Sequence, residues 1–330
     1  YTVTPVSAAG CLGDPYTITF PILPEPTGGN DTFVMCSNDG SLNYDLQADN
    51  IDVLGNGITS NFSWSAADNA NVTGETTTTS TAASITDNLV NTSAVNQTVV
   101  YTITPTNSGN TCPGNAFTLT VTVEPQPVGV APTTAVICSD QALGNDYTLT
   151  TNGTSVAAAS YTINSITNTG GLTASAGAPA TGTGFNANVL INDAWTNQTG
   201  AQEDIVYNIT PVSSAGCEGD PFNVTVSVDP EPATVASFSR PNLCSDVATG
   251  YDLSAAGAST YNISINSNGL TASAGSPANG TGLAATVIND DAWTNTTTGF
   301  VNVVYTVTPV SAAGCLGDPY TITFPILPEP

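Results

Sequence analysis

Phe117, Leu119, Val121 and Val123 alternate with Thr118, Thr120 and Thr122. The pattern returns with Phe222, Val224, Val226 and Val228, and again with Tyr320, Ile322, Phe324 and Ile326. A period of two sends successive side chains to opposite faces of an extended strand. Each run therefore predicts a strand, here called G, with its apolar face buried and its threonine face wet, as in an antiparallel sheet. A second predicted strand, F, precedes each one, at residues 99–105, 206–211 and 303–309. Shorter signals come earlier. Tyr44/Leu46, Tyr147/Leu149 and Tyr251/Leu253 predict a strand B; Phe62/Trp64, Tyr161/Ile163 and Tyr261/Ile263 predict a strand C. Residues 171–177 and 269–275 share a further stretch, which four threonines at 76–79 replace in the first set. About seven short strands per hundred residues, separated by turn formers, predict an all-β chain of tandem immunoglobulin-like sandwiches.

The spacing of these runs is regular. Pro-x-Pro segments end at Pro26, Pro127, Pro232 and Pro330. Short Pro-rich linkers thus divide the chain into residues 1–26 (strands F and G of a preceding domain) and three domains, 27–127, 128–232 and 233–330. Residues 1–26 are identical to residues 305–330, which sets a longer period of 304 residues. Only 15 of those 26 residues are shared with 207–232. The single units are therefore old, and the three-unit block is the recent duplication. The chain reads as a window on a longer array, opening inside a fourth unit.

Just before each strand F lies another repeated pattern: Ile85-x-Asp87-x-Leu89-x-Asn91, Ile191-x-Asp193-x-Trp195-x-Asn197, and Ile288-x-Asp290 followed by Trp293 and Asn295 with one extra residue. A buried Leu or Trp on strand E and a tyrosine on strand F resemble the corner that locks many sandwiches. The expected corner residues are Leu89 with Tyr101, Trp195 with Tyr207, and Trp293 with Tyr305.

Composition narrows the function. The formal net charge is −25, with 26 acidic residues, one basic residue (Arg240) and no histidine. Nucleic-acid binding needs cations to displace counterions from phosphate, so that class is excluded. Attraction to anionic membranes is disfavoured for the same reason, and no apolar run is long enough to insert. A catalytic site needs a nucleophile–base pair or clustered carboxylates. Asp290-Asp291 is the one acidic doublet of note, and neighbouring side chains of a strand face opposite ways, so no enzyme is expected. No cofactor is implied. Calcium serves many acidic arrays of this kind, but Glu25, Glu124, Asp229, Glu231 and Glu329 are too sparse near the linkers for a multidentate cage.

Seven cysteines occur: Cys11, Cys36, Cys112, Cys138, Cys217, Cys244 and Cys315. Each unit has one near its start and one in the F–G turn. Pairing within units gives Cys36–Cys112, Cys138–Cys217 and Cys244–Cys315. Pairing between neighbours gives Cys11–Cys36, Cys112–Cys138 and Cys217–Cys244. Cys112 and Cys138 bracket a whole strand G, a linker and a strand A, tens of ångströms if extended, whereas a disulfide needs Cα atoms within about 7 Å. The within-unit pairs are therefore expected, with the partner of Cys11 outside the window. Such bonds imply an oxidising compartment.

Val-Val-Tyr-Thr-Val-Thr-Pro at 303–309, Gly-Cys-x-Gly-Asp-Pro-Tyr at 314–320, the Pro-Glu-Pro linker and Cys-Ser at 36–37, 138–139 and 244–245 resemble one known group. They are similar to the PKD-like and Ig-like repeats of giant secreted surface adhesins of the Bacteroidota, associated with gliding motility and type IX secretion. Cys112-Pro113-Gly114 departs from the pattern in the first unit's turn. The resemblance implies cell-surface display, extracellular localisation and a filament or adhesin-stalk role, with adjacent copies as partners. Two alternatives stand beside it: a module binding extracellular glycans or surfaces through its threonine faces, and subunits polymerised by strand exchange.

Overall fold

The computed structural model describes residues 1–132, 136–277 and 279–329. Pro330, which closes the repeated segment, lies outside the described residues. The fold is nearly all β and falls into two compact units.

The first unit comprises Tyr1–Gln126 with Gly153–Val156. Its main sheet runs in the order A–G–F–C: Asp31–Cys36, Phe117–Glu124, Gln97–Asn107 and Ser60–Ala66. Strands G and F are antiparallel, and strand A runs parallel to G. The alternation read from strand G is the burial pattern found: Phe117, Leu119, Val121 and Val123 are buried and the threonines half-buried. They pack with Trp64, Leu89, Tyr101 and Ile103 in one core. Two short pairs, Tyr44–Asp45 with Ser84–Ile85 and Val72–Thr73 with Val90–Asn91, form the opposing layer.

The second unit comprises Pro127–Asn152 and the chain from Ala157 onward, and it contains two cores. Around the first, strands Val136–Cys138, Phe222–Asp229, Glu203–Val212, Ser160–Asn168 and Gly182–Phe185 repeat the A–G–F–C order with one added strand. Around the second lie Phe238–Ser239 and Leu243–Cys244, then Tyr320–Leu327, Val301–Ser311, Ala258–Asn266 and Gly280–Leu283. The stretch shared at 171–177 and 269–275 supplies strands Thr173–Ala176 and Thr271–Ala274. These pair with Ala194–Thr196 and Ala292–Thr294, which carry the tryptophans.

Strand B departs from expectation. Tyr44–Asp45 is a two-residue strand followed by a π-helical turn, Gln47–Ile51; Asn145–Tyr147 is a 3-10 turn; and 251–255 is irregular. The tyrosines and leucines there serve as core anchors: Tyr44, Leu46, Tyr147, Leu149 and Leu253 are all buried. Apolar spacing at i and i+2 reported burial correctly, but only Tyr44–Asp45 has a ladder partner, and Tyr147 and Leu253 lie outside any strand.

Residues 1–26 form only a small hairpin, Thr2–Val3 against Tyr16–Thr17. Its register matches that of Thr306 with Thr321 and Val307 with Tyr320. The surroundings differ. Tyr1 is 85% exposed where Tyr305 is 0%, and Ile22 is 90% exposed where Ile326 is 1%.

Candidate functional site at the sandwich junction

The parallel A–G pairing decides where the first cysteine of each sandwich sits. Cys36 is in register with Glu124, Cys138 with Asp229, and Cys244 with Leu327. Each lies at the outgoing end of its sandwich, beside the last residues of strand G. The F–G turn, with the second cysteine, lies at the opposite end.

The outgoing end is built around one asparagine per sandwich. The Asn197 N–H donates to Ser139 Oγ at 2.8 Å, and its side-chain amide donates to the Ala201 and Val228 carbonyls at 2.8 and 2.7 Å. Its Oδ1 accepts from the Thr199 N–H and hydroxyl at 3.0 and 2.8 Å. Asn91 does the same with Ser37, Val95, Val123 and Ser93; Asn295 does so with Ser245, Gly299, Ile326 and Thr297. The serine of each Cys-Ser pair is therefore an acceptor that locks its cysteine's strand to the strand bearing the asparagine. Both residues recur at fixed places in all three units, and that recurrence is the signal in the sequence that ties them together.

The corner residues meet around a buried aspartate. Trp195 Nε1 donates to the Tyr207 hydroxyl at 3.0 Å, which donates to Asp193 at 2.9 Å. Trp293, Tyr305 and Asp291 repeat the chain at 3.0 and 2.8 Å. The aspartate of the third corner is thus Asp291, whereas the sequence pattern placed Asp290 there; the extra residue falls before it, and Asp290 is exposed. In the first sandwich Leu89 is buried but has no donor. There Tyr101 donates to Asp87 at 2.7 Å, and the Thr76 N–H and hydroxyl supply the remaining bonds. Burial pushes Asp193 up to about 6, against the opposing effect of the Tyr207 bond. Burial likewise raises Asp291, whose Oδ1 has no hydrogen-bond partner among the described residues. It also drives Tyr101, Tyr207 and Tyr305 far above the usual phenol range. Buried acids beside tyrosines can suggest acid–base chemistry; here each acid is enclosed by the core and accepts a structural bond.

The incoming end is the F–G turn. The Ser213 N–H donates to the Cys217 carbonyl and the Ser311 N–H to that of Cys315, at 2.9 and 2.8 Å. Gly219 and Gly317 lie against the carbonyls of the linker prolines Pro127 and Pro232, and Gly114 lies against Pro26. A Cβ on any of these glycines would press on that linker backbone, so the glycine two residues after the turn cysteine, in Gly-Asp-Pro in the second and third sandwiches and Gly-Asn-Ala in the first, is a seat for the incoming chain.

Within the second unit the two ends meet. Cys138, at the outgoing end of one sandwich, is bonded to Cys315, in the F–G turn of the next, with Cα atoms 5.2 Å apart. Around the bond, Gln198 donates to Glu231 at 2.9 Å and to Thr234 at 3.2 Å, and Thr234 donates to Asp318 at 3.0 Å. The Glu231 N–H is held by the Asn197 carbonyl at 3.1 Å. Glu231 itself is buried, and burial raises its pKa.

This bond corrects the expected pairing. With Cys138 bonded to Cys315, neither Cys138–Cys217 nor Cys244–Cys315 forms, and Cys112, Cys244 and Cys11 are free thiols, so Cys36–Cys112 does not form either. The physical reason is the length of strand A. The F–G turn does lie near the linker by which the chain enters, but the first cysteine follows about ten residues later, at the far end of an extended strand. At about 3.3 Å per residue that is a full sandwich away from its own F–G turn and next to that of the following sandwich. The bond closes a loop with a sequence separation of 177. In the loop-entropy model this is worth about 5 kcal/mol.

Disulfide-tied β-sandwiches with the same staple machinery at each end define a class: a structural or adhesion repeat of extracellular type. A model of the PKD-like domain matches residues 1–26, 34–127, 135–232 and 242–330, and the chain belongs to that family. PKD-like domains are in general non-catalytic. The family and the disulfide both fit an extracellular setting. No curated protein matches. Among solved structures, mouse cadherin-23 EC22-24 is similar at 13% identity and a TM-score of 0.26, covering 92% of this chain and 98% of that one. Drosophila N-cadherin EC1-4 is similar at 9% identity and a TM-score of 0.23, covering 91% and 73%. No helix among the described residues is long and apolar enough to cross a membrane.

Proposed function

We propose that this chain is a load-bearing segment of an extracellular stalk, of the kind borne by giant surface adhesins of the Bacteroidota. Units 27–127, 128–232 and 233–330 repeat as a 304-residue block, and residues 1–26 close the unit before. The observation that carries this reading is the Cys138–Cys315 bond. A disulfide inside one sandwich protects that sandwich alone. One from the outgoing end of a sandwich to the incoming end of the next also fixes the junction. Under tension it routes force from one strand A directly into the next F–G turn, past everything between. The exposed face of the 1–26 hairpin supports the array, because the same residues are a buried strand pair in the third sandwich.

The test is single-molecule pulling on the 330-residue chain held by its ends. Without reductant, the residues between Cys138 and Cys315 cannot join the extension. Adding reductant should lengthen the fully extended chain by roughly 600 Å or more, from a separation of 177 residues at about 3.4 Å each. Equal contour lengths with and without reductant would remove the mechanical reading.

A further inference from the structure

We propose that Cys244 of one 304-residue block forms a disulfide with Cys112 of the next, so that a second copy of the block occupies the outgoing end of the third sandwich. This rests on the array reading above. The base of the third sandwich reproduces that of the second residue by residue. Cys244 pairs with Leu327 as Cys138 pairs with Asp229. Ser245 accepts from the Asn295 N–H at 2.9 Å, as Ser139 accepts from Asn197 at 2.8 Å. The departing linker is held alike: the Glu329 N–H donates to the Asn295 carbonyl at 3.0 Å, and that of Glu231 to the Asn197 carbonyl at 3.1 Å. On the second sandwich this base holds an F–G turn and its cysteine is bonded. On the third it holds none, and Cys244 is an exposed thiol.

The complementary half is the F–G turn of the first sandwich. The Asn107 N–H donates to the Cys112 carbonyl at 2.9 Å, as Ser311 does to Cys315 at 2.8 Å. The incoming linker is seated alike, with Gly114 against Pro26 as Gly317 is against Pro232, and with the Asn107 amide on the Pro24 carbonyl at 3.0 Å. Cys112 is also a free thiol. Cys244 is a first cysteine without a following F–G turn, and Cys112 is an F–G cysteine without a preceding first cysteine. In consecutive blocks the two fall on the two sides of one junction. Cys11, by sequence identity, is a Cys315 of the block before.

The bond forms by exchange with a disulfide donor such as oxidised glutathione. One cysteine thiolate attacks the donor, giving a mixed disulfide and one reduced donor thiol. The second cysteine thiolate then displaces the other donor thiol, so the protein loses two protons and two electrons and the donor gains them.

The experiment is a chain carrying residues 1–330 followed by a second 27–330, refolded with oxidised glutathione. Remaining thiols are alkylated in acid and the chain is cut with pepsin, because Arg240 is the one site for trypsin. The expected digest contains a Cys112 peptide linked to a Cys244 peptide. Cys244→Ser in the first copy should abolish that link, while Cys244→Ser in the second copy should leave it intact. Full alkylation of Cys112 and Cys244, or a link that survives the first-copy substitution, overturns the proposal. The Cys138–Cys315 link is read in the same digest: its presence without the Cys112–Cys244 link sinks this inference alone, and its absence sinks the stalk reading.

Discussion

Each sandwich buries a few polar side chains beside its apolar core, and their burial has measurable consequences. Asn91, Asn197 and Asn295 each begin an Asn-x-Ser/Thr sequon, yet each is buried and each side-chain amide is fully engaged. Intact-mass measurement after expression in a glycosylating host should show no sugar at these three sites. Asn197→Ala should lower unfolding free energy by about 3 kcal/mol or more in urea titration, because two carbonyls and an N–H lose their partner inside the fold. Asp193 behaves differently. Its carboxyl sits at about 6 when folded, against 3.8 for an ordinary aspartate. Between those values the folded state keeps a proton that the unfolded state has lost, so this group's contribution to stability falls as pH rises from about 4 to about 6 and is constant above. Asp193→Asn, which keeps the acceptor for Tyr207 without the charge, should raise neutral-pH stability by roughly 1–3 kcal/mol. The gain should vanish below pH 4 in thermal melts.

At the scale of elements, one sequence occupies two settings. Residues 1–26 are an exposed hairpin and residues 305–329 a buried strand pair, so intrinsic amide exchange rates are equal by sequence and any difference is environmental. Hydrogen exchange on peptides that extend upstream of Tyr305 should show strong protection of strands F and G there, and fast exchange over 1–26. Strands F and G were plainly legible in the sequence because a period of two with threonine on the wet face has one physical reading. The Trp–Tyr corner was legible from its fixed spacing, but the aspartate that accepts from each tyrosine was not, and in the third sandwich it is Asp291 where the pattern has Asp290. Strand B was legible as burial but not as structure, since Tyr147 and Leu253 anchor the core from turns and irregular chain. Cysteine pairing was not legible. It depends on which end of the sandwich Cys138 reaches, and that depends on strand A running parallel to G, a pairing across about ninety residues that no local pattern encodes.

Across the whole molecule, the charge is almost entirely of one sign. A net charge of −25 keeps copies of this chain apart in dilute salt, an effect that weakens with ionic strength. With one arginine and no lysine the chain offers trypsin-like proteases almost nothing. In the stalk proposed for it, the joining element is the covalent tie from the outgoing end of one sandwich to the F–G turn of the next. The most direct measurement is the disulfide map of the 330-residue chain, alkylated in acid without reduction and digested with pepsin. The expected result is a Cys138 peptide linked to a Cys315 peptide, with Cys112 and Cys244 alkylated. A Cys138–Cys217 or Cys244–Cys315 link would place the bonds inside single sandwiches and contradict the stapled junction.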